Sequence, residues 1–297
     1  MQFDEYQNEA AKTDIVASDG PNAIIVPLLG LAGEVGSLLS EYKKFLRDGS
    51  AHQRFKEQVA EDLGDLLWYV SNVAGKFDLR LEEVARSNLE KIGSRWPGGG
   101  DGGAYRLLDE QFPEHERFPR LFQIEFGEVT TDAGIRVTMT RNGNSVGDVL
   151  SDNAPDDDGY RFHDVFHLSY AAVLGWSPIM RKLLQLKRKS DAETDDVEDG
   201  ARARIIEELV SQLVFTYACA HNFLDGVNRL DYHLLKTIQS LVADREVRIR
   251  SLAEWEMAIL QGYAVWRSIR TNRGGTVVVD LLQRKIEFMG STSGVSK

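Results

Sequence analysis

The sequence is poorest in cysteine. Among 297 residues Cys219 stands alone, so no internal disulfide can form and no cysteine-based zinc cage can be built. Its setting, Leu213-Val214-Phe215-Thr216-Tyr217-Ala218-Cys219-Ala220, is apolar, and this predicts a buried structural thiol rather than a nucleophile. Long hydrophobic runs are also scarce: none reaches the ~18 uninterrupted apolar residues of a membrane span. The start, Met1-Gln2-Phe3-Asp4-Glu5, lacks a basic-then-apolar leader pattern. Together these predict a cytoplasmic protein with no membrane partner. Positive charge is in deficit as well. The net charge is −11. Residues 1–97 carry 11 Lys/Arg against 16 Asp/Glu, giving −5, and the rest carries −6. Neither part has the basic excess of a nucleic-acid binder, which argues against a nucleic-acid partner. A free nucleotide stays compatible, because a bound cation offsets repulsion between acidic protein and phosphate.

What is present divides in two. A length of 297 residues suits two domains. The segment Trp96-Pro97-Gly98-Gly99-Gly100-Asp101-Gly102-Gly103 ends a helix and makes a flexible linker. The boundaries read as an N-terminal domain at 1–97, a linker at 98–104 and a C-terminal domain at 105–297.

Nothing in the first domain alternates with period two. Apolar residues recur at helical spacing and predict four helices, at about 3–17, 27–47, 54–77 and 81–95. Pro27 would suit the first turn of the second. The first domain is therefore expected to be all-α. Its apolar stripes are wide for so small a unit, so part of them is expected to be covered by a second copy. The C-terminal domain reads as α+β and mostly helical. Strands are expected at 121–126 and 135–139, a turn at 141–144, and a closing strand at 276–281. Helices are expected at 161–174, 177–188, 201–224, 231–241 and 251–268. The charge-reversing stretch from Lys187 to Asp199 reads as solvated surface.

Two acidic clusters carry the chemistry. One lies in Gly30-Leu31-Ala32-Gly33-Glu34-Val35-Gly36-Ser37-Leu38-Leu39-Ser40-Glu41, the other in Glu61-Asp62-Leu63-Gly64-Asp65-Leu66-Leu67-Trp68-Tyr69. Glu34, Ser37, Leu38 and Glu41 share one face of a helix, since positions three, four and seven apart align. If the two helices pack antiparallel, carboxylates of both meet across a groove and suit a hard divalent cation. The competing reading is a solvated polar face, with Gly30, Gly33, Gly36 and Gly64 as a packing seam.

Gly-Leu-Ala-Gly-Glu-Val-Gly at 30–36, Lys43-Lys44, Asp62-Leu63-Gly64-Asp65-Leu66-Leu67-Trp68-Tyr69, and Asn88-Leu89-Glu90-Lys91 followed by Arg95-Trp96 resemble the MazG family of nucleoside triphosphate pyrophosphohydrolases. The resemblance covers most of residues 1–97. It implies an all-α fold, and cleavage of nucleoside triphosphates into monophosphate and pyrophosphate. It implies magnesium, with manganese as a substitute, bound through a Glu-x-x-Glu and a Glu-x-x-Asp motif on facing helices. Carried over, Glu34 matches the first glutamate, while Ser37 stands where the second is expected. Asp62 takes the glutamate position of the second motif and Asp65 its aspartate. Glu41, one turn beyond Ser37, is the substitute ligand and the carboxylate expected to orient or deprotonate the attacking water, and it joins Glu34, Asp62 and Asp65 as the expected metal-binding and catalytic set. Lys44, Trp68, Asn88, Lys91 and Arg95 are the expected substrate contacts. Nucleotide-pool cleaning or alarmone control would be the purpose, and a homodimer or homotetramer the assembly. The departure at Ser37 leaves a second class open, a catalytically weak nucleotide sensor.

In the C-terminal half, which resembles the extension carried by some MazG-like proteins, Arg161-Phe162-His163-Asp164-Val165-Phe166-His167 is the sharpest motif. His163 and His167 are four apart and can point at one metal from a helix, with Glu207, Glu208, His221 and Asp225 downstream. The alternative is that they pack the helix and hydrogen-bond the acidic loop 152–158.

Overall fold

The computed structural model describes residues 1–15, 22–93, 105–132 and 134–290. The chain divides into two compact units, Met1–Gly93 and Ser94–Lys297. The linker read at 98–104 lies outside the described residues.

The first unit is helical, with α1 at Phe3–Ala11, α2 at Asn22–Asp48, α3 at Phe55–Lys76 and α4 at Leu81–Gly93. Helix α1 is shorter than its apolar spacing suggests. Helix α2 begins before Pro27, so the proline lies inside it rather than in its first turn. That position costs one backbone hydrogen bond near the helix start. Side chains tie α1 across the other helices. Gln7 donates to the Leu79 carbonyl and accepts from the Leu81 N–H, both at 2.9 Å, and Lys76 pairs with Asp14 at 2.6 Å.

Helices α2 and α3 run antiparallel, and two contacts fix their register. The Phe45 and Phe55 rings stack at 4.4 Å. At the other end, a Cβ on Gly30 would lie 2.1 Å from the Tyr69 ring. Glycine at 30 is therefore required by close approach, whereas Gly33, Gly36 and Gly64 have no such neighbour within 4 Å. The seam reading of the glycines holds for Gly30 alone.

This unit buries little. Among the described residues its buried hydrophobic side chains are Ala23, Ala74 and Leu81, while Leu29, Leu39, Leu46 and Leu89 are each more than 60% exposed. The helical stretch Ala23–Ala51 is long and apolar enough to cross a membrane by length and composition, its most apolar 18-residue window having a mean hydropathy of 1.8. Counting uninterrupted runs missed it, because Glu34 breaks the run without greatly lowering the average.

The second unit is α+β. A five-stranded antiparallel sheet holds β1 (Leu121–Thr131), β2 (Gly134–Arg141), β3 (Asn144–Leu150), β4 (Gly274–Asp280) and β5 (Lys285–Phe288) in the order β3-β2-β1-β4-β5. The central pairing sets Phe126 opposite Met139 on one side and Ile124 opposite Val277 on the other. The turn at Arg141–Asn144 leads into β3, which, like β5, the alternation pattern does not reveal. The helices are α5 (Asp164–Leu174), α6 (Pro178–Leu183), α7 (Ala192–Val197), α8 (Ala201–Cys219), α9 (Tyr232–Leu241) and α10 (Leu252–Asn272). Every residue of α5 is buried. It lies against α10, where Gly262 admits Ser169 and a Cβ would come within 3.1 Å of its side chain. Trp176, Trp255, Trp266, Tyr170 and Tyr263 fill the core around it.

Two expectations are corrected here. The 187–199 stretch is not simply solvated surface: it forms α7, and Arg188 and Asp199 at its ends are wholly buried. Arg188 donates to both Asp199 oxygens and to both Glu246 oxygens. Cys219 is exposed rather than buried. It ends α8, so the apolar face that buries Val214 and Ala218 has already turned away from it.

Candidate active site

Counting along the helices from the Phe45–Phe55 and Gly30–Tyr69 contacts puts Glu34 level with Asp65, and Ser37 and Leu38 level with Asp62, although among the described residues these carboxylates do not close into a ligand cluster. Asp62 is 8% exposed, and its Oδ2 has no hydrogen-bond partner. Glu34 is half-buried on the same stripe of α2 as Gly30 and Leu38, while Ser37 and Asp65 are exposed. An unpartnered carboxylate oxygen out of contact with water is costly unless a cation reaches it. Oxygen donors of this kind fit magnesium or manganese. Glu61 is exposed and bonded to Gln58 at 2.7 Å.

Glu41, expected as a ligand, has other partners. His52 lies 2.9 Å from its Oε2, and Lys44 donates to its Oε1. Lys44, then His52, holds its carboxyl below the ordinary glutamate range. It levels with Gln58 and Val59, about 5 Å along the seam from Asp62 at 1.5 Å per residue. His52 was not anticipated from sequence. It sits just past the Gly49–Ala51 turn, and only that turn brings it back to α2.

The expected substrate contacts are dispersed. Lys44 is paired with Glu41. Trp68 donates its indole N–H to Thr13 Oγ1 at 2.7 Å and meets Tyr69 edge-on at 5.0 Å, so it braces α1 against α3. Asn88 is exposed on α4. The Lys91 side chain and all of Arg95 lie outside the described residues.

In the second unit, His163 stands at the N-terminal boundary of α5 without a side-chain cap bond, and His167 follows one turn on. They do not bond the acidic loop. Arg161 does so instead, donating to Asp152 and Asp157 at 2.7 Å each. His167 is fully buried and its Nδ1 meets Glu207 Oε1 at 2.9 Å. Burial alone would lower its pKa, but Glu207 and Glu208 outweigh that and push it up to about 10. His221 bonds the Tyr217 carbonyl and Asp225 is exposed, because α8 ends before both; neither joins the histidine pair.

Residues 28–99 match the MazG nucleotide pyrophosphohydrolase domain, and residues 103–292 match the MazG C-terminal domain. With these two matches spanning most of its length, the chain belongs to the MazG family, whose pyrophosphohydrolase domain acts on nucleotide pyrophosphate bonds with the help of a metal. Among characterised sequences it is similar to the gene 37 protein of Mycobacterium phage L5. The two are 37% identical over 101 residues, which is 32% of this chain and 89% of the phage protein. No solved structure matches.

Proposed function

We propose that this chain is a magnesium-dependent nucleoside triphosphate pyrophosphohydrolase, releasing nucleoside monophosphate and pyrophosphate. The observation that carries this reading is the buried, unpartnered Oδ2 of Asp62 in the α2–α3 seam, near the level of Glu34 and one turn from Asp65. Glu34, Asp62 and Asp65 would hold the metal, with manganese able to replace magnesium. Bound there, the ion would supply positive charge to triphosphate oxygens. Glu41 positions Lys44 and His52, two groups suited to phosphate charge at one end of the seam. Asn88, Lys91 and Arg95 would contact sugar and phosphate. Nucleotide-pool cleaning in the cytoplasm is the role we favour, with an alarmone as the other substrate class.

The test is turnover of a panel of NTPs, dNTPs and ppGpp with magnesium, products being separated by ion exchange and Asp65→Ala serving as control. Monophosphate plus pyrophosphate is the expected result, lost in the variant. Ser37, standing level with Asp62 where the family pattern has glutamate, favours the second reading of a nucleotide sensor. Nucleotide binding without turnover of any substrate would establish it.

We also propose a homo-oligomer built on the first unit. Leu39 and Leu46 on α2 are 63% and 67% exposed, and the unit has few buried apolar residues of its own. A second copy suits this face better than lipid, because Glu34, Glu41, Lys43, Lys44 and Arg47 punctuate the same helix. Leu39→Glu should convert the species seen by sedimentation equilibrium to a monomer; an unchanged mass would exclude this face as the interface.

A further inference from the structure

The His163–His167 pair gains a third member from α8. Atoms of His163, His167 and Glu208 that can ligate a metal all lie within 4.8 Å of one another. Each imidazole is oriented by a hydrogen bond at Nδ1. His163 Nδ1 lies 2.9 Å from the Tyr160 carbonyl oxygen, which can only accept, so Nδ1 carries the proton. Tyr160 also stacks on the ring at 4.4 Å. His167 Nδ1 donates to Glu207 Oε1. That carboxylate is itself anchored by the Ser177 hydroxyl at 2.6 Å and the Ile179 N–H at 2.9 Å. A carboxylate or carbonyl on the far nitrogen is the support that metal-bound histidines commonly have.

Both Nε2 atoms are left for a ligand. His167 Nε2 is buried without a hydrogen-bond partner, and its nearest carboxylate oxygen, Glu208 Oε2, stands 3.6 Å away. His163 Nε2 is 3.9 Å from Asp164 Oδ1. The cluster opens into a cleft of about 440 Å³ whose walls include Asp148, Asp164, Lys182 and Arg204. Two imidazoles and one carboxylate select a zinc-type ion over magnesium. Three protein ligands leave a coordination position free, and Lys182 and Arg204, set against Asp148 and Asp164, are the cleft's cationic groups for an anion bound to the metal.

We propose that His163, His167 and Glu208 form a zinc-type divalent-metal site whose open position accepts a phosphate group held by Arg204 and Lys182. The site is independent of the acidic seam of the first unit.

The test uses the full chain, stripped with chelator and kept in excess magnesium so that the acidic seam is satisfied. Zinc is added, free metal removed, and bound zinc measured by mass spectrometry. Close to one ion per chain is expected, falling at least about tenfold in Glu208→Gln and in His163→Gln and unchanged in Asp65→Ala. His163 and Glu208 reach the cleft wall, so both variants should keep the wild-type circular dichroism spectrum. Cobalt in place of zinc should give the visible bands of a four- or five-coordinate ion. Inorganic phosphate should shift those bands in the wild type and not in Arg204→Ala. Zinc that washes out, or that stays in both ligand variants, overturns the site. Cobalt bands indifferent to phosphate overturn the anion position and leave a closed structural ion.

Discussion

Asp62→Asn is expected to lower nucleoside triphosphate cleavage by about a hundredfold or more, the scale on which removing one charge-stabilising group slows an enzyme. The substitution keeps shape and removes the negative charge. Asp62 is 8% exposed and its Oδ2 has no partner in the protein, so the asparagine loses no internal hydrogen bond. Two measurements separate loss of a ligand from loss of the fold. Without metal, the thermal midpoint of Asp62→Asn should equal or exceed that of the wild type, since a buried carboxylate no longer lacks a cation. With magnesium, the wild type should gain stability by mass action and the variant should gain little. Full turnover in Asp62→Asn would remove this residue from the chemistry, and a lowered metal-free midpoint would make its role structural.

Arg188→Ala should be the most damaging single change in the second unit, at about 3–5 kcal/mol, the usual cost of breaking a buried ion pair from one side. It leaves the wholly buried Asp199 with only the residue-188 main-chain N–H at 2.7 Å and Arg181 at 3.7 Å, and frees both oxygens of Glu246. Arg188 also lies over the Phe112 ring at 5.2 Å, so packing is lost along with charge. Lys187→Ala next to it removes an ion pair with Asp195 that is about one-third exposed on both sides and should lower the denaturant midpoint far less than Arg188→Ala. Pairing Arg188→Met with Asp199→Leu should recover part of the loss, because the buried carboxylate that lost its main partner is gone. Equal midpoints for Arg188→Ala and Lys187→Ala would refute the buried role.

Helical spacing made the first unit legible. On α3 the apolar positions Phe55, Val59, Leu66 and Val73 recur with the turn, and they mark the side from which Asp62 also projects. What sequence could not supply was pairing over distance. Glu41 read as a free carboxylate because its partner His52 is eleven residues on, beyond a turn. The 187–199 stretch read as surface because Arg188 meets Glu246, 58 residues away. Short elements were lost for another reason. Strand β5 has four residues, too few for any period to show. Strand β3 contains Gly147 at φ +70°, which interrupts the alternation. The histidine pair was visible at its i, i+4 spacing, and Glu207 and Glu208 were visible on their own helix, but only the packing of α5 beside α8 joined them.

Helix α2 turns one side to α3, with Glu34 and Glu41 on it, and leaves Leu39 and Leu46 on the other. If a second copy covers those leucines, the groove proposed to hold the nucleotide is shaped by a helix that is itself steadied by its neighbour. Catalytic output then follows the amount of protein more steeply than in direct proportion, because scarce chains remain single. A cell would have in this helix a threshold, set by expression level alone, below which its triphosphates are left untouched.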